Sequence, residues 1–297
     1  MEKFSSWRDK GTGISPFMPV PFPLEQEKST VKKWLQLTVK TLVFLVKLPF
    51  LILFTLIYYL TSFKPLAQFV LLILFGFNNL DFSVENVKKS NTIAINKNKP
   101  GANEVIVVNY VSPLDGLIYA VISKTWNWRN IKILIPVQSG ELYEYSIWSL
   151  ILHAFDNTHL GTPIGDSDHY KSKVVFLLLE GTTSNNKALL PFVKLKPSYT
   201  FKGFTVKSLV VKIKPAYFTL PIPTSKIGYL FELLTNLDQL KNNYIRLKSY
   251  QFDSFAPETI KSSFEMNSLN AINQNLNIAE KENFIAYYNN HDIKKTL

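Results

Sequence analysis

Two apolar runs dominate the first third of this chain: residues 41–60 are nearly all apolar, broken by Lys47 and Pro49, and a shorter run covers residues 66–77. A membrane-spanning helix needs about 20 apolar residues, so the second run is too short for a full crossing. The pair predicts a helical hairpin over residues 34–80, re-entrant or half-inserted, that anchors the rest of the chain. Lys28, Lys32, Lys33 and Lys40 lie before it, Lys88, Lys89, Lys97 and Lys99 after it, and the turn over residues 61–65 carries only Lys64. The positive-inside rule then puts both flanks in the cytosol. Trp34, Tyr58, Tyr59 and Phe63, near the ends of the runs, suit the headgroup boundary. The competing reading is a buried hairpin of a soluble core.

Beyond the hairpin the periodicity changes. Short apolar runs at residues 105–108, 131–137, 174–179 and 208–218 predict strands, and residues 113–123 and 142–155 predict helices between them. Ser112 followed by Pro113 offers an N-cap with proline in the first helical turn. Strands separated by helices predict an α/β fold, a mainly parallel sheet flanked by helices. After residue 225 the pattern is mostly helical, at 227–240 and 279–288, with a strand-like stretch at 244–250 and an Asn-rich connection at 267–277. The expected organisation is a cytosolic tail (1–33), the hairpin (34–80), an α/β domain (81–225) and a mostly helical extension packed on it (226–297).

Composition sharpens the picture in three places. Charged residues are 19% of the chain against a usual share of about 25%, and aromatic residues are 14%, which fits extensive buried or lipid-facing surface. Lys and Arg number 33 against 22 Asp and Glu, and a net charge of +11 favours an anionic partner: nucleic acid, anionic phospholipid or coenzyme A. No zinc, RNP-like or helix-turn-helix pattern supports nucleic acid. The chain contains no cysteine, which removes disulfides, thiolate metal sites and a cysteine nucleophile and fits a reducing compartment. Residues 1–27 carry Glu2, Asp9, Glu25 and Glu27 and lack an apolar core, unlike a cleavable signal peptide.

Candidate chemistry concentrates in two polar strings at predicted strand ends. The first runs from Asn109 through Tyr110, Ser112 and Pro113 to Asp115. The second is Glu180-Gly181-Thr182-Thr183-Ser184, followed by Leu190-Pro191-Phe192. An open α/β sheet binds its ligands beyond the carboxyl ends of its strands, so the two strings are expected to face one crevice. Each acid also has a plain structural reading. Asp115 suits the first turn of a helix, where it would complement the dipole and close a capping-box-like arrangement, and Glu180 suits a turn in which Gly181 supplies positive φ.

These strings resemble those of the phospholipid-synthesis acyltransferase family, which pairs Asn-His-x4-Asp with a later Phe-Pro-Glu-Gly-Thr-Arg-Ser and a Leu-Pro-Phe. Asn109 and Asp115 keep their spacing, Glu180, Gly181, Thr182 and Ser184 keep theirs, and Leu190-Pro191-Phe192 is intact. Tyr110 stands for the histidine, Leu179 for the proline and Thr183 for the arginine. The stretch from Trp7 to Phe17 and the segment Ser112-Pro113-Leu114-Asp115 extend the likeness to the fungal lysophosphatidic acid:oleoyl-CoA acyltransferase branch, in which the histidine is likewise replaced.

The resemblance implies a glycerolipid acyltransferase-like fold and transfer of an acyl chain from acyl-CoA, with oleoyl-CoA the expected donor, to lysophosphatidic acid, giving phosphatidic acid. The implied setting is the endoplasmic reticulum membrane or lipid droplet, with the catalytic domain cytosolic. It implies no cofactor beyond acyl-CoA as co-substrate; no metal is expected because no pair of histidines has helix spacing with a carboxylate, His153 and His159 being six apart with Asp156 the only carboxylate between them. The loss of histidine and arginine leaves a second expectation, a weakly active or inactive lipid-binding relative.

By the same likeness Asp115 and Tyr110 occupy catalytic positions, and Asn109, Glu180, Gly181, Thr182, Thr183, Ser184 and Lys194 substrate-binding ones. Tyr110 is a poor base, since a phenol of pKa ~10 is ionised to about one part in a thousand at pH 7. His153, His159 and His169 are candidate replacements. With the arginine missing, phosphate binding falls to the backbone amides and hydroxyls of residues 181–184 and to Lys187 and Lys194. Lys207, Lys212 and Lys214 are expected on a solvated strand face, with a coenzyme A phosphate site as the alternative.

Overall fold

The computed structural model describes residues 4–23, 29–156, 161–165, 168–236, 243–272 and 275–292. Its centre is a sheet of eight strands: β1 (Asn79–Val84), β2 (Glu104–Val108), β3 (Ile131–Pro136), β4 (Leu142–Tyr145), β5 (Thr162–Pro163), β6 (Val174–Leu177), β7 (Thr205–Lys214) and β8 (Tyr244–Phe252), in the order β1-β8-β7-β2-β6-β3-β4-β5. The inner strands β7, β2, β6 and β3 run parallel, whereas the pairs β7–β8, β3–β4 and β4–β5 are antiparallel. The helices are α1 (Thr30–Thr61), α2 (Lys64–Phe69, continued by a π-turn at Val70–Leu74), α3 (Thr92–Lys97), α4 (Asp115–Ile122), α5 (Ile147–Asp156), α6 (Lys226–Leu234), α7 (Pro257–Glu265) and α8 (Ile278–Asp292).

The continuous apolar runs of the inner strands follow from burial on both faces. In β2, Ile106 and Val108 point into one core while Val105 and Val107 point into the other, and β6 divides in the same way, with Val174 and Phe176 opposite Val175 and Leu177. The first core is closed by α2, α4, α5 and α6, the second by α7 through Ile260 and Phe264. A third cluster packs Phe17 of the amino-terminal stretch on Leu190, Ile272 and Phe284, so this stretch is folded onto α8.

Several expected boundaries shift. The helix predicted over 142–155 is instead β4 followed by α5, because residues 142–145 pair with Ile133–Pro136 before the chain turns at Ser146. The strand predicted over 208–218 begins earlier, at Thr205, and ends at Lys214, ahead of Pro215, which has no N–H for the ladder. Within it Lys207 is buried rather than solvated. Its Nζ lies 2.6 Å from Glu104 Oε1, and the pair joins β7 to β2. The residues 237–240 of a predicted helix lie outside the described residues.

The hairpin is asymmetric. α1 runs for 32 residues, about 48 Å at 1.5 Å per residue. It ends at Ser62, whose φ of 58° puts it in the left-handed region and whose N–H donates to Tyr58 O. The shorter run is core: Ala67, Val70, Leu71 and Leu74 are buried. Only 6% of the most apolar window of α1 is buried, so the buried-hairpin reading fails for this helix. One edge of α1 follows the domain, through the Lys40–Glu232 ion pair, Phe44 on Phe231, Lys47 Nζ donating to Leu74 O, Phe54 on Phe69 and Tyr58 on Trp148. Tyr58 is therefore core and not boundary. The other edge exposes Trp34, Leu42, Leu45, Leu53, Leu56 and Leu60.

Candidate functional site

β2 and β6 are adjacent and parallel, so the strings at their carboxyl ends leave the same edge of the sheet and meet. The Asn109 side chain extends the ladder one residue past Val108. Its Nδ2 donates to Val211 O at 2.9 Å and its Oδ1 accepts from Val211 N at 2.8 Å, while Nδ2 also reaches Asn186 Oδ1 at 3.1 Å. Glu180 bridges the two strings: Oε1 accepts from Tyr110 N and Oε2 from Leu190 N, both at 2.8 Å. Ser184 N donates to Tyr110 O at 3.1 Å. The two strings thus share a hydrogen-bonded frame.

Asp115 opens α4. Its Oδ2 accepts from Val111 N at 2.8 Å and Ser112 N at 3.2 Å, and Oδ1 accepts from Ser112 Oγ at 3.1 Å. Ser112 Oγ in turn accepts from Leu114 N. The expected capping box is not formed: the helix begins at Asp115, its N-cap Leu114 makes no side-chain cap bond, and Ser112 and Asp115 instead tie the turn that leads into it. Both carboxyls are buried, and burial disfavours their charged forms, raising Asp115 to about 7 and Glu180 to about 8 against the pull of the N–H donors.

Behind the second string lies a cation that has no counterpart in the motifs. Lys281 of α8 is buried, and its Nζ donates at 2.8 Å to Thr182 Oγ1, Thr183 O and Thr183 Oγ1. Burial brings its pKa down to about 7, opposed by the charge of Glu180. The pattern carried a weak signal, because Lys281 occupies the inward stripe of α8 that continues with Phe284, Ile285 and Tyr288. Thr183 Oγ1 also donates to Leu220 O, and Ser184 Oγ accepts from Asn186 N, so these hydroxyls are committed to the frame. Lys187 and Lys194 are exposed, and Lys194 lines a separate groove beside Phe192 and Tyr199.

A cavity of about 250 Å³ borders the frame, lined by Pro136, Gln138, Tyr145, His153, Gly181 and Thr182 among others. Gly181 has a φ of 69°, and a Cβ there would lie 2.8 Å from Pro136 O, so the turn that opens onto the cavity requires glycine. His153 lines this cavity, and behind it the buried Tyr110 places its Oη 3.0 Å from His153 Nδ1. α5 brings His153 there because α4 and α5 cross in backbone contact at Gly116: a Cβ at that position would lie 2.7 Å from Ile147 O. His169 lies apart, exposed beside β4 and β5, and His159 is outside the described residues.

An apolar groove of about 380 Å³ opens on the other side of α5, between α1, α4 and α6, with Leu51, Tyr58, Leu114, Leu117, Phe155 and Leu233 in its walls. Among the described residues no group of three or more His, Asp or Glu is placed to hold a metal ion.

The chain is 27% identical, over 99% of its length and 99% of the relative's, to Lysophosphatidic acid:oleoyl-CoA acyltransferase 1 of Saccharomyces cerevisiae. It is 28% identical, over 75% of its length and 77% of the relative's, to a Schizosaccharomyces pombe protein whose name provisionally assigns the same activity. No protein-family model matches the chain. No solved structure matches it. The likeness first carried by short motifs therefore extends along the whole chain and points to the same fungal branch.

Proposed function

We propose, from the premise that this chain is a homologue of the fungal lysophosphatidic acid:oleoyl-CoA acyltransferases, that it is a membrane-associated enzyme of that kind. It would move the acyl chain of oleoyl-CoA to the free hydroxyl of lysophosphatidic acid and so make phosphatidic acid at a cytosol-facing membrane. The observation that carries this reading is the end-to-end similarity to the Saccharomyces cerevisiae protein, over 99% of both chains. Three features of the molecule fit it. The exposed apolar edge of α1 offers a surface that enters lipid from the side. The groove beneath it reaches Pro113 and Leu114, next to Asp115, and has the apolar walls an acyl chain needs. The cavity is lined by Gly181 and Thr182, and Thr182 accepts from the buried Lys281, which lies behind a loop that lacks arginine.

One observation favours a second reading, a lipid-binding relative with little or no turnover. The carboxyl groups of Asp115 and Glu180 accept from backbone N–H groups, and Asp115 from Ser112 Oγ as well, the work of props rather than of reacting groups. Purified protein in phospholipid vesicles, given lysophosphatidate and labelled oleoyl-CoA, separates the two. Labelled phosphatidate is expected, reduced in Asp115→Ala and Glu180→Ala. Binding of lysophosphatidate without product would establish the second reading and overturn the first.

A further inference from the structure

We propose that the outer part of the β7–β8 ladder is a binding site for a soluble ligand carrying clustered phosphates, and that this ligand is the nucleotide end of coenzyme A. Only the identity of the ligand rests on the acyl-transfer reading above; the site itself rests on the placement of Lys212, Lys214, Arg246 and Lys248. In β7, Leu209, Val211 and Ile213 point into the first core, so Lys212 and Lys214 stand on the opposite face of the sheet. Ile245 and Leu247 do the same in β8 and leave Arg246 and Lys248 on that opposite face. The register sets Lys212 directly across from Arg246, Lys214 across from Tyr244, and Lys248 across from Val210.

Like charges directly opposite each other on an antiparallel pair are destabilising. Among the described residues Lys212, Lys214 and Lys248 have no carboxylate partner, and Arg246 has only Asp81 at 4.0 Å, a group already paired with Lys89 at 2.7 Å. Tyrosine rings take the place of carboxylates: Lys214 Nζ and Arg246 Cζ lie 5.5 and 5.0 Å from the centroid of Tyr244, and Lys248 Nζ lies 4.9 Å from that of Tyr250. A π face steadies a cation without neutralising it, so the positive field survives. Burial and, after it, the charge of Arg246 hold the Lys212 ammonium below the usual lysine range. Lysines often guard the edge of a sheet against pairing with other chains. That plain use is closed here, because β7 and β8 are inner strands with a neighbour on each side.

Two placements select the ligand. β7 runs parallel to β2 and continues past it: Val211 pairs with the side chain of Asn109, and Lys212 and Lys214 follow at the sheet edge from which both strings leave. An acyl-CoA carries its thioester at one end and a 3′-phosphate with a diphosphate at the other, so its phosphates require cations set apart from the reacting atoms, and ionised donors bind phosphate strongly. The helix α1, in contrast, packs through the first core on the other face of the sheet, so a bilayer that takes its exposed edge faces away from these cations.

Adenosine 3′,5′-bisphosphate, titrated calorimetrically into the full-length protein in detergent micelles, is expected to bind saturably and more weakly as salt is raised. Lys212→Gln with Arg246→Gln is expected to raise its Kd at least about tenfold. Lys10→Gln with Lys171→Gln, an equal change of net charge at exposed sites, is expected to leave it within about twofold. Without ligand the Lys212→Gln, Arg246→Gln protein should melt no lower than the unmutated one, because a repulsion has been removed; residues kept for structure would lower the melting temperature when replaced. In turnover the same variant is expected to raise KM for oleoyl-CoA and to leave KM for lysophosphatidate unchanged. No saturable binding of the bisphosphate, or a Kd that the double variant leaves unchanged, would overturn the proposal. So would a variant that loses affinity only for phosphatidate-containing vesicles, which would give these cations to bilayer headgroups. Bisphosphate binding through these residues in a protein that makes no phosphatidate would support the site and sink the acyl-transfer reading alone.

Discussion

At the scale of single residues, the site is built from side chains that stand in for backbone. Where β2, β6 and β7 diverge, Asn109, Glu180 and Asp115 take over the pairing of N–H groups that the ladder leaves behind. Asp115 carries a measurable consequence. Its carboxyl titrates near 7 in the folded protein and near 3.9 in an unfolded chain, so between those values the native state holds a proton that the unfolded state has lost. Stability from this group is full below about pH 4 and lost as pH rises through 7, by at most about 1.4 kcal/mol per pH unit. Glu180 acts in the same direction, and Lys281 adds no slope below about 7, where it is protonated in both states. Urea unfolding at pH 5, 6 and 7 is expected to show stability falling with pH, and less steeply in Asp115→Asn, which keeps an acceptor oxygen and titrates nothing. Equal slopes would contradict the assignment. That Asp115 and Ser112 would bond to each other was legible from their spacing, whereas the start of the helix, at Asp115 rather than Pro113, was not. Nor was Lys281, because a lysine on an apolar stripe announces burial without naming its partners.

At the scale of elements, the decisive contact is α4 against α5. The first carries Asp115 and the second carries His153, and Gly116 lets their backbones touch. Gly116→Ala would drive a methyl into Ile147 O, and since neither backbone can rotate away, α5 must move. A loss of about 1–3 kcal/mol in stability is expected, with kcat falling up to about 10²-fold as α5 shifts. Gly228→Ala in α6 is the matched control, since its Cβ would meet only the Ser225 side chain at 3.4 Å, and it is expected to leave both quantities nearly unchanged. Thermal melting and initial rates on the pair check this. The strands of the parallel core were legible as apolar runs. The division of residues 142–155 into β4 and α5 was not, because Leu142, Tyr145, Ile147 and Trp148 read equally well as a helix face until the pairing with β3 is seen.

At the scale of the whole molecule, α1 has one edge packed on the domain and the other exposed and apolar. A helix tied to its domain over this length would meet a bilayer from the side, and without the second run, whose Ala67, Val70, Leu71 and Leu74 are packed in the core. Leu45 and Leu56 are 60% and 53% exposed, so Leu45→Glu with Leu56→Glu should not disturb the core. Burying each leucine is worth roughly 1.5–3 kcal/mol, and the double variant is expected to lose most of its flotation with anionic vesicles; undiminished flotation would contradict lateral insertion. The long, exposed apolar helix of the first run was legible from its length, while the commitment of the second run to the core came from contacts that its composition does not reveal.

The central claim, that the joined strings serve acyl transfer to a lysophospholipid, is tested most directly by following thiol release from oleoyl-CoA on vesicles with and without lysophosphatidate. Release that depends on the acceptor and equals the phosphatidate formed, measured by mass spectrometry, is the result this account predicts. Release at the same rate without acceptor, or none in either case, would contradict it.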